Sequence, residues 1–83
     1  MSIEISAHAR IQMIERGATD GEVTTAIEQG QPESARLGRT LYRKNFPFDS
    51  TWRGRHYRTK QVAPVVASDG DKLAVVTVYV FYF

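Results

Sequence analysis

The chain has 83 residues, 42% of them hydrophobic and 24% charged, with a net charge of +2, no cysteine and two histidines, His8 and His56. This fits one small globular domain over residues 1–83 with a single two-layer core. It excludes a disulfide framework, a thiol nucleophile and a cysteine zinc site; a structural metal is not expected from two imidazoles, and no cofactor is indicated.

Ile3 and Ile5 flank Glu4 in a pattern that fits a short strand or an arm. Ser6 reads as the N-cap of a first helix, over about 7–17, with Ala7, Ile11 and Ile14 as its apolar stripe and Gly17 as its stop. Thr19 with Glu22 forms a capping box for a second helix over about 20–29, whose buried stripe is Val23, Ala26 and Ile27 and whose end is marked by Gly30 and Pro32. Glu33–Leu37 and Thr40–Phe46 then read as strands joined at Gly38-Arg39. Pro47–Gly54 reads as an irregular loop, and Arg55–Gln61 as either loop or the start of the next strand. Pro64 puts the strand Val62–Ala67 at a sheet edge or at a bulge, because it cannot donate to the ladder.

Leu73–Phe83 is the one long β-branched and aromatic run, and Asp69-Gly70 before it suits a tight hairpin turn. It is too short to cross a bilayer as a helix, and no charged-then-apolar leader opens the chain, so a cytoplasmic protein of bacterial type, not a membrane protein, is expected. Alternation puts Ala74, Val76, Val78 and Val80 on a core face and Leu73, Val75, Thr77, Tyr79 and Phe81 on the other. The expected fold is α+β: an N-terminal helical hairpin packed on one face of an antiparallel sheet of about four strands.

The charge is unevenly spread. Residues 1–33 hold two arginines against six carboxylates, whereas residues 34–60 hold eight basic residues against Asp49 alone. That basic block is interleaved with Tyr42, Phe46, Phe48, Trp52 and Tyr57, a mixture that offers phosphate contacts and stacking surfaces to RNA or another polyanion. Arg53, Arg55, Arg58 and Lys60 are the candidate contacts; a solvated arginine-rich face, or a surface for an acidic protein, is the alternative.

Three further positions carry chemistry. His8, in the first turn of the first helix, is placed to accept a proton, with Arg10 on one flank of the stripe and Arg16 outward. Thr77 and Tyr79 are the polar positions opposite the valine face, and of the neighbours Tyr42 and Arg43 only one can share their side of the sheet. A histidine, a carboxylate and several arginines suit metal-independent RNA cleavage, in which one group deprotonates the ribose 2′-hydroxyl, another protonates the leaving oxygen and arginine stabilises the phosphate charge.

His8-Ala9-Arg10, Glu15-Arg16-Gly17, Leu41-Tyr42-Arg43-Lys44 and Val76-Thr77-Val78-Tyr79, spread over Ile3 to Tyr79, resemble the small bacterial domain of unknown function catalogued as family 4258. Asn45–Lys60 is longer and more aromatic than that family's pattern, and Val80–Phe83 extends past its usual end. The family looks similar in layout to RelE, ParE and BrnT toxins, which implies a RelE-like fold and a ribonuclease-like toxin of a toxin–antitoxin or polymorphic-toxin system, with an antitoxin-like acidic protein as an expected partner. The residues carried over are His8, Arg10, Arg16, Tyr42, Arg43, Thr77 and Tyr79.

The first reading is therefore a metal-independent endoribonuclease with His8, Arg43 and Tyr79 as catalytic groups. Arg10, Arg16, Tyr42, Arg53, Arg55, Arg58, Lys60 and Thr77 hold the RNA. The second is a noncatalytic module that binds RNA or an acidic protein. The third is an accessory protein whose aromatic tail, Tyr79–Phe83, is an interface.

Overall fold

A computed structural model describes residues 2–83. Its elements are β1 (Ser2–Ile5), α1 (Ala7–Arg16), α2 (Asp20–Gln29), β2 (Gln31–Ser34), β3 (Thr40–Trp52), β4 (Arg55–Asp69) and β5 (Lys72–Tyr82), with a 3₁₀ turn at Arg36–Gly38 between β2 and β3. The strands form one sheet in the order β1-β5-β4-β3-β2. β1 runs parallel to β5, and every other pair is antiparallel. The α+β layout holds, but the sheet has five strands and is mixed; the short Ile3–Ile5 segment pairs with β5 as a strand.

The local signals at the helix ends act as read. Ser6 Oγ accepts from the Ala9 amide, and Thr19 and Glu22 exchange both capping-box hydrogen bonds. The buried side of α1, however, is Ala9 and Met13, and the expected stripe points to solvent, with Ile11 55% and Ile14 76% exposed. What selects the orientation is the edge of β5. β1 covers that edge only as far as Val75, and beyond it Gln12 Oε1 accepts from the Val78 amide at 2.9 Å while Arg16 Nη1 donates to the Val78 carbonyl at 2.7 Å. Arg16 thus lies along the sheet edge and not outward. The opposite edge strand, β2, is four residues long, contains Pro32 and covers β3 only over Thr40–Arg43; past it the outer edge of β3 is interrupted by Pro47 and the bulge before Ser50.

The last strand does not keep one parity. Val65 pairs with Thr77 but Val66 with Val75, which leaves Val76 as an extra residue in a β-bulge. Beyond it Val78 and Val80 face the helices; before it Leu73 and Val75 do, in place of the expected Ala74 and Val76. The core comprises Ala9, Met13, Val23, Ile27, Val62, Val66, Val75 and Val78. Pro64 sits in a central strand, not an edge one. The β3–β4 ladder passes from Leu41↔Val65 to Lys44↔Val62 without pairing Pro64, where the donor is missing.

The expected loop over 47–54 is strand, bent by a bulge between Pro47 and Ser50 and closed by a turn in which Arg53 and Gly54 both have positive φ, 51° and 82°. This ribbon curls over the C-terminus of α1. There Tyr82 Oη donates to Arg16 O at 2.7 Å, Arg53 Nη2 to Glu15 O at 2.8 Å, and Lys60 Nζ to Gly17 O. Terminal helix carbonyls are thereby satisfied by donors, two of them cations. Trp52 stacks on Tyr82 at 5.0 Å, with Phe48 and Tyr57 at 5.2 and 5.6 Å from the same ring.

Gly17 is the hinge of this arrangement, with φ +82° and a position where a Cβ would lie 2.7 Å from Tyr82 Oη and 2.9 Å from the Trp52 ring. Gly17→Ala is therefore expected to cost about 2–4 kcal/mol, combining left-handed strain with overpacking. Gly70→Ala, at φ +60° in open space, should cost only about 1 kcal/mol of strain. Thermal melts of the two variants check this; equal losses would remove packing from the account.

A candidate nucleic-acid interface on the open sheet face

The two helices cover one face of the sheet and leave the other bare. On that bare face strand alternation past the bulge aligns Thr77, Tyr79 and Phe81, and Phe83 continues the row, held by reciprocal backbone hydrogen bonds with Thr59. The three rings are 42%, 44% and 58% exposed. Tyr79 and Phe81 lie side by side with centroids 6.4 Å apart and planes within 19°. Their neighbour on β4 opposite Tyr79 is Ala63, which is too small to rise above the rings. Large apolar groups in a contiguous exposed row mark a binding surface more often than chance exposure.

Cations border the row on both sides. From the β5 edge the Arg16 guanidinium sits over the Tyr79 ring at 5.6 Å, and from β3 the Arg43 guanidinium sits over Phe81 at 5.8 Å. Arg43 is held in place by Glu33 on β2, with Nε at 3.0 Å and Nη2 at 3.3 Å, and by Gln61 Oε1 at 3.0 Å. Gln61 in turn donates to Asn45 Oδ1 at 2.8 Å. Hydrogen bonding between the two raises the Arg43 pKa and lowers that of Glu33. At the Tyr79 end, the β2–β3 turn contributes Arg36 and Arg39 to a groove of about 310 Å³ whose other walls include Leu41, Val65, Thr77 and Tyr79.

The structure thus brings together Arg16, Arg43, Thr77 and Tyr79 from the sequence-predicted set. Arg43, not Tyr42, shares the face of Tyr79; Tyr42 packs against the core on the helix side. His8 stands elsewhere. It is exposed on α1, its side chain forms no hydrogen bond with a described residue, and eight residues separate it from Arg16, about 12 Å along the helix axis. Arg10 is paired with Asp20 at 2.6 Å on the helix exterior.

The 53–60 cluster divides. Lys60 is 6% exposed, bound to Glu22 at 2.8 Å and to Gly17 O, and serves the core; it is withdrawn from any RNA. Arg53 stacks on Trp52 and ties down Glu15 O, while Arg55 stacks on Tyr57 and Arg58 is exposed. Burial, reinforced by Glu22, raises the Tyr82 pKa, so this phenol stays protonated and donating at neutral pH. Phe81 and Phe83 were expected at an interface only in the accessory-protein reading, and Arg36 and Arg39 only as part of the basic block over 34–60. For Phe83 the shared parity of positions 79, 81 and 83 is the signal; for the two arginines, only the turn geometry reveals them.

A family model described as Domain of unknown function (DUF4258) matches residues 5–80. The chain belongs to the DUF4258 family. The DUF4258 match runs from the end of β1 into β5 and includes α1, Arg43, Thr77 and Tyr79, whereas Phe81 and Phe83 lie beyond it. No curated protein and no solved structure matches the chain. No described helix is long and apolar enough to cross a membrane.

Proposed function

We propose that this protein binds single-stranded RNA across the open face of its sheet. The observation that carries the reading is the exposed Tyr79–Phe81 shelf with the guanidiniums of Arg16 and Arg43 on its two sides. Rings at the surface stack with unpaired bases, and arginines beside them take the phosphates, a combination that favours single strands over duplexes. Arg36 and Arg39 extend the charge at one end of the row. An acidic partner of the antitoxin type would occupy the same arginines and compete with RNA.

The test is fluorescence anisotropy with labelled single-stranded and duplex RNA over a salt series. Single-strand affinity should fall linearly on a log–log plot, and Arg36, Arg39 and Arg43 all changed to Gln should reduce the slope by about 2, at about 0.7 per phosphate. Equal affinity for duplex, or an unchanged slope, would sink the proposal.

The toxin-type, metal-independent endoribonuclease is the second reading, supported by one groove that holds Thr77 and Tyr79 with two arginines. In this reading the Tyr79 hydroxyl, and not the distant His8, is the group within reach of a bound ribose. Cleavage in EDTA that leaves 2′,3′-cyclic phosphate ends and disappears in Tyr79→Phe supports it; intact RNA after prolonged incubation leaves binding alone.

A further inference from the structure

Helix α1 carries two apolar stripes. One, Ala9 and Met13, is buried against the sheet. The other, Ala7, Ile11 and Ile14, points away from it, with its two isoleucines among the most exposed large apolar residues described. At about 100° per residue the three side chains fall within about 60° of one another, so they form one patch. Arg10 borders it on one side and is already neutralised by Asp20. His8 and Glu15 border it on the other, and neither side chain forms an ion pair with a described residue.

We infer that this patch docks against the same patch of a second copy of the chain, α1 against α1 in antiparallel two-fold pairing. A two-fold axis near Ile11 sets Ile11 against its symmetry mate and Ile14 against the small Ala7 of the second copy. In such an isologous pair each border of the patch meets itself with the direction reversed, so His8 comes opposite Glu15 of the second copy, twice over. The two unpartnered groups of one helix thereby supply each other's partners. A uniformly acidic foreign helix would leave Glu15 facing like charge, and a uniformly basic one would leave the His8 imidazole N–H with no acceptor; the chain's own α1 matches both.

One helix face is smaller than the roughly 1,200 Å² that stable complexes bury, so the association is weak, with a dissociation constant on the order of 100 µM. The open face lies on the other side of the sheet and remains free in the pair, so this inference stands independently of RNA binding.

Sedimentation equilibrium of the whole chain from about 10 µM to about 1 mM should show the mass rising from one chain toward two. Ile14→Glu should stay monomeric throughout while keeping its melting temperature, because the side chain is exposed, and should keep its RNA affinity per chain. His8→Glu should weaken the dimer about tenfold by setting two carboxylates together, and adding Glu15→Lys to it should restore the pair. A chain monomeric at the highest concentration, or dimerisation unchanged in Ile14→Glu, overturns the inference; a double exchange that fails to rescue overturns the antiparallel register.

Discussion

Val78→Asp is expected to yield a chain with no cooperative thermal transition and an unfolded circular-dichroism spectrum at neutral pH. Val78 is fully buried, it packs with Val62, Val75, Met13 and Ala9, and its backbone is the residue on which α1 is hung through Gln12 and Arg16. No cation of the core is free to meet a carboxylate there, since Lys60, the one buried charged residue described, already serves Glu22 and Gly17. An unpaired buried carboxylate costs several kcal/mol, comparable with the whole stability of a domain this size, about 4–12 kcal/mol. Val78→Ala keeps the core dry and loses two methyl groups, so it should fold with a loss of about 2 kcal/mol. If Val78→Asp melts like the parent, the helix-covered face has been misassigned.

Changing Tyr79, Phe81 and Phe83 together to Ala should lower the affinity for single-stranded RNA at least about a hundredfold, because alanine in place of a stacked ring costs about 1–3 kcal/mol per base. The rings lie on the uncovered face, so the variant should fold with a melting temperature close to the parent's. The salt slope separates this loss from the arginine effect: removing rings lowers affinity at every salt concentration and leaves the slope alone. Affinity that survives the triple change would move the interface to the ribbon arginines Arg55 and Arg58.

The features legible from sequence are those that a few neighbouring residues determine. The Ser6 cap, the Thr19–Glu22 box and the glycine turn need no distant partner, and both helices and the β4–β5 hairpin follow from them, although the turn's two residues are Gly70-Asp71, one position later than Asp69-Gly70. The shared face of Thr77 and Tyr79 was also legible, as a parity argument that holds on the C-terminal side of the bulge, whereas parity left open which of Tyr42 and Arg43 joins them. What failed depends on contacts made far along the chain. Ala7-Ile11-Ile14 and Ala9-Met13 are both apolar stripes, and the choice between them is made by Gln12 and Arg16 reaching Val78. The bulge at Val76 has no composition of its own to announce it. Phe48 and Trp52 resemble loop residues until the C-terminus of α1, to which they are brought by Tyr82, is in view. His8 has the right chemistry for a catalytic group and the wrong location, which residue type alone cannot reveal.

The pairing of β1 with β5 joins residues about seventy positions apart, Ser2 with Lys72, and α1 likewise depends on Val78. Both early helices are therefore synthesised well before the strand that covers them. At ribosomal rates of about 5–20 residues per second, Ala9 and Met13 of α1 and Val23 and Ile27 of α2 wait several seconds with no sheet to pack against. Closing so long a loop is also entropically slow, so this small chain should fold late and nearly all at once. Its window of aggregation risk is thus set by the pace of translation, and yield during expression should respond to temperature and chaperone supply more than to the stability of the finished fold.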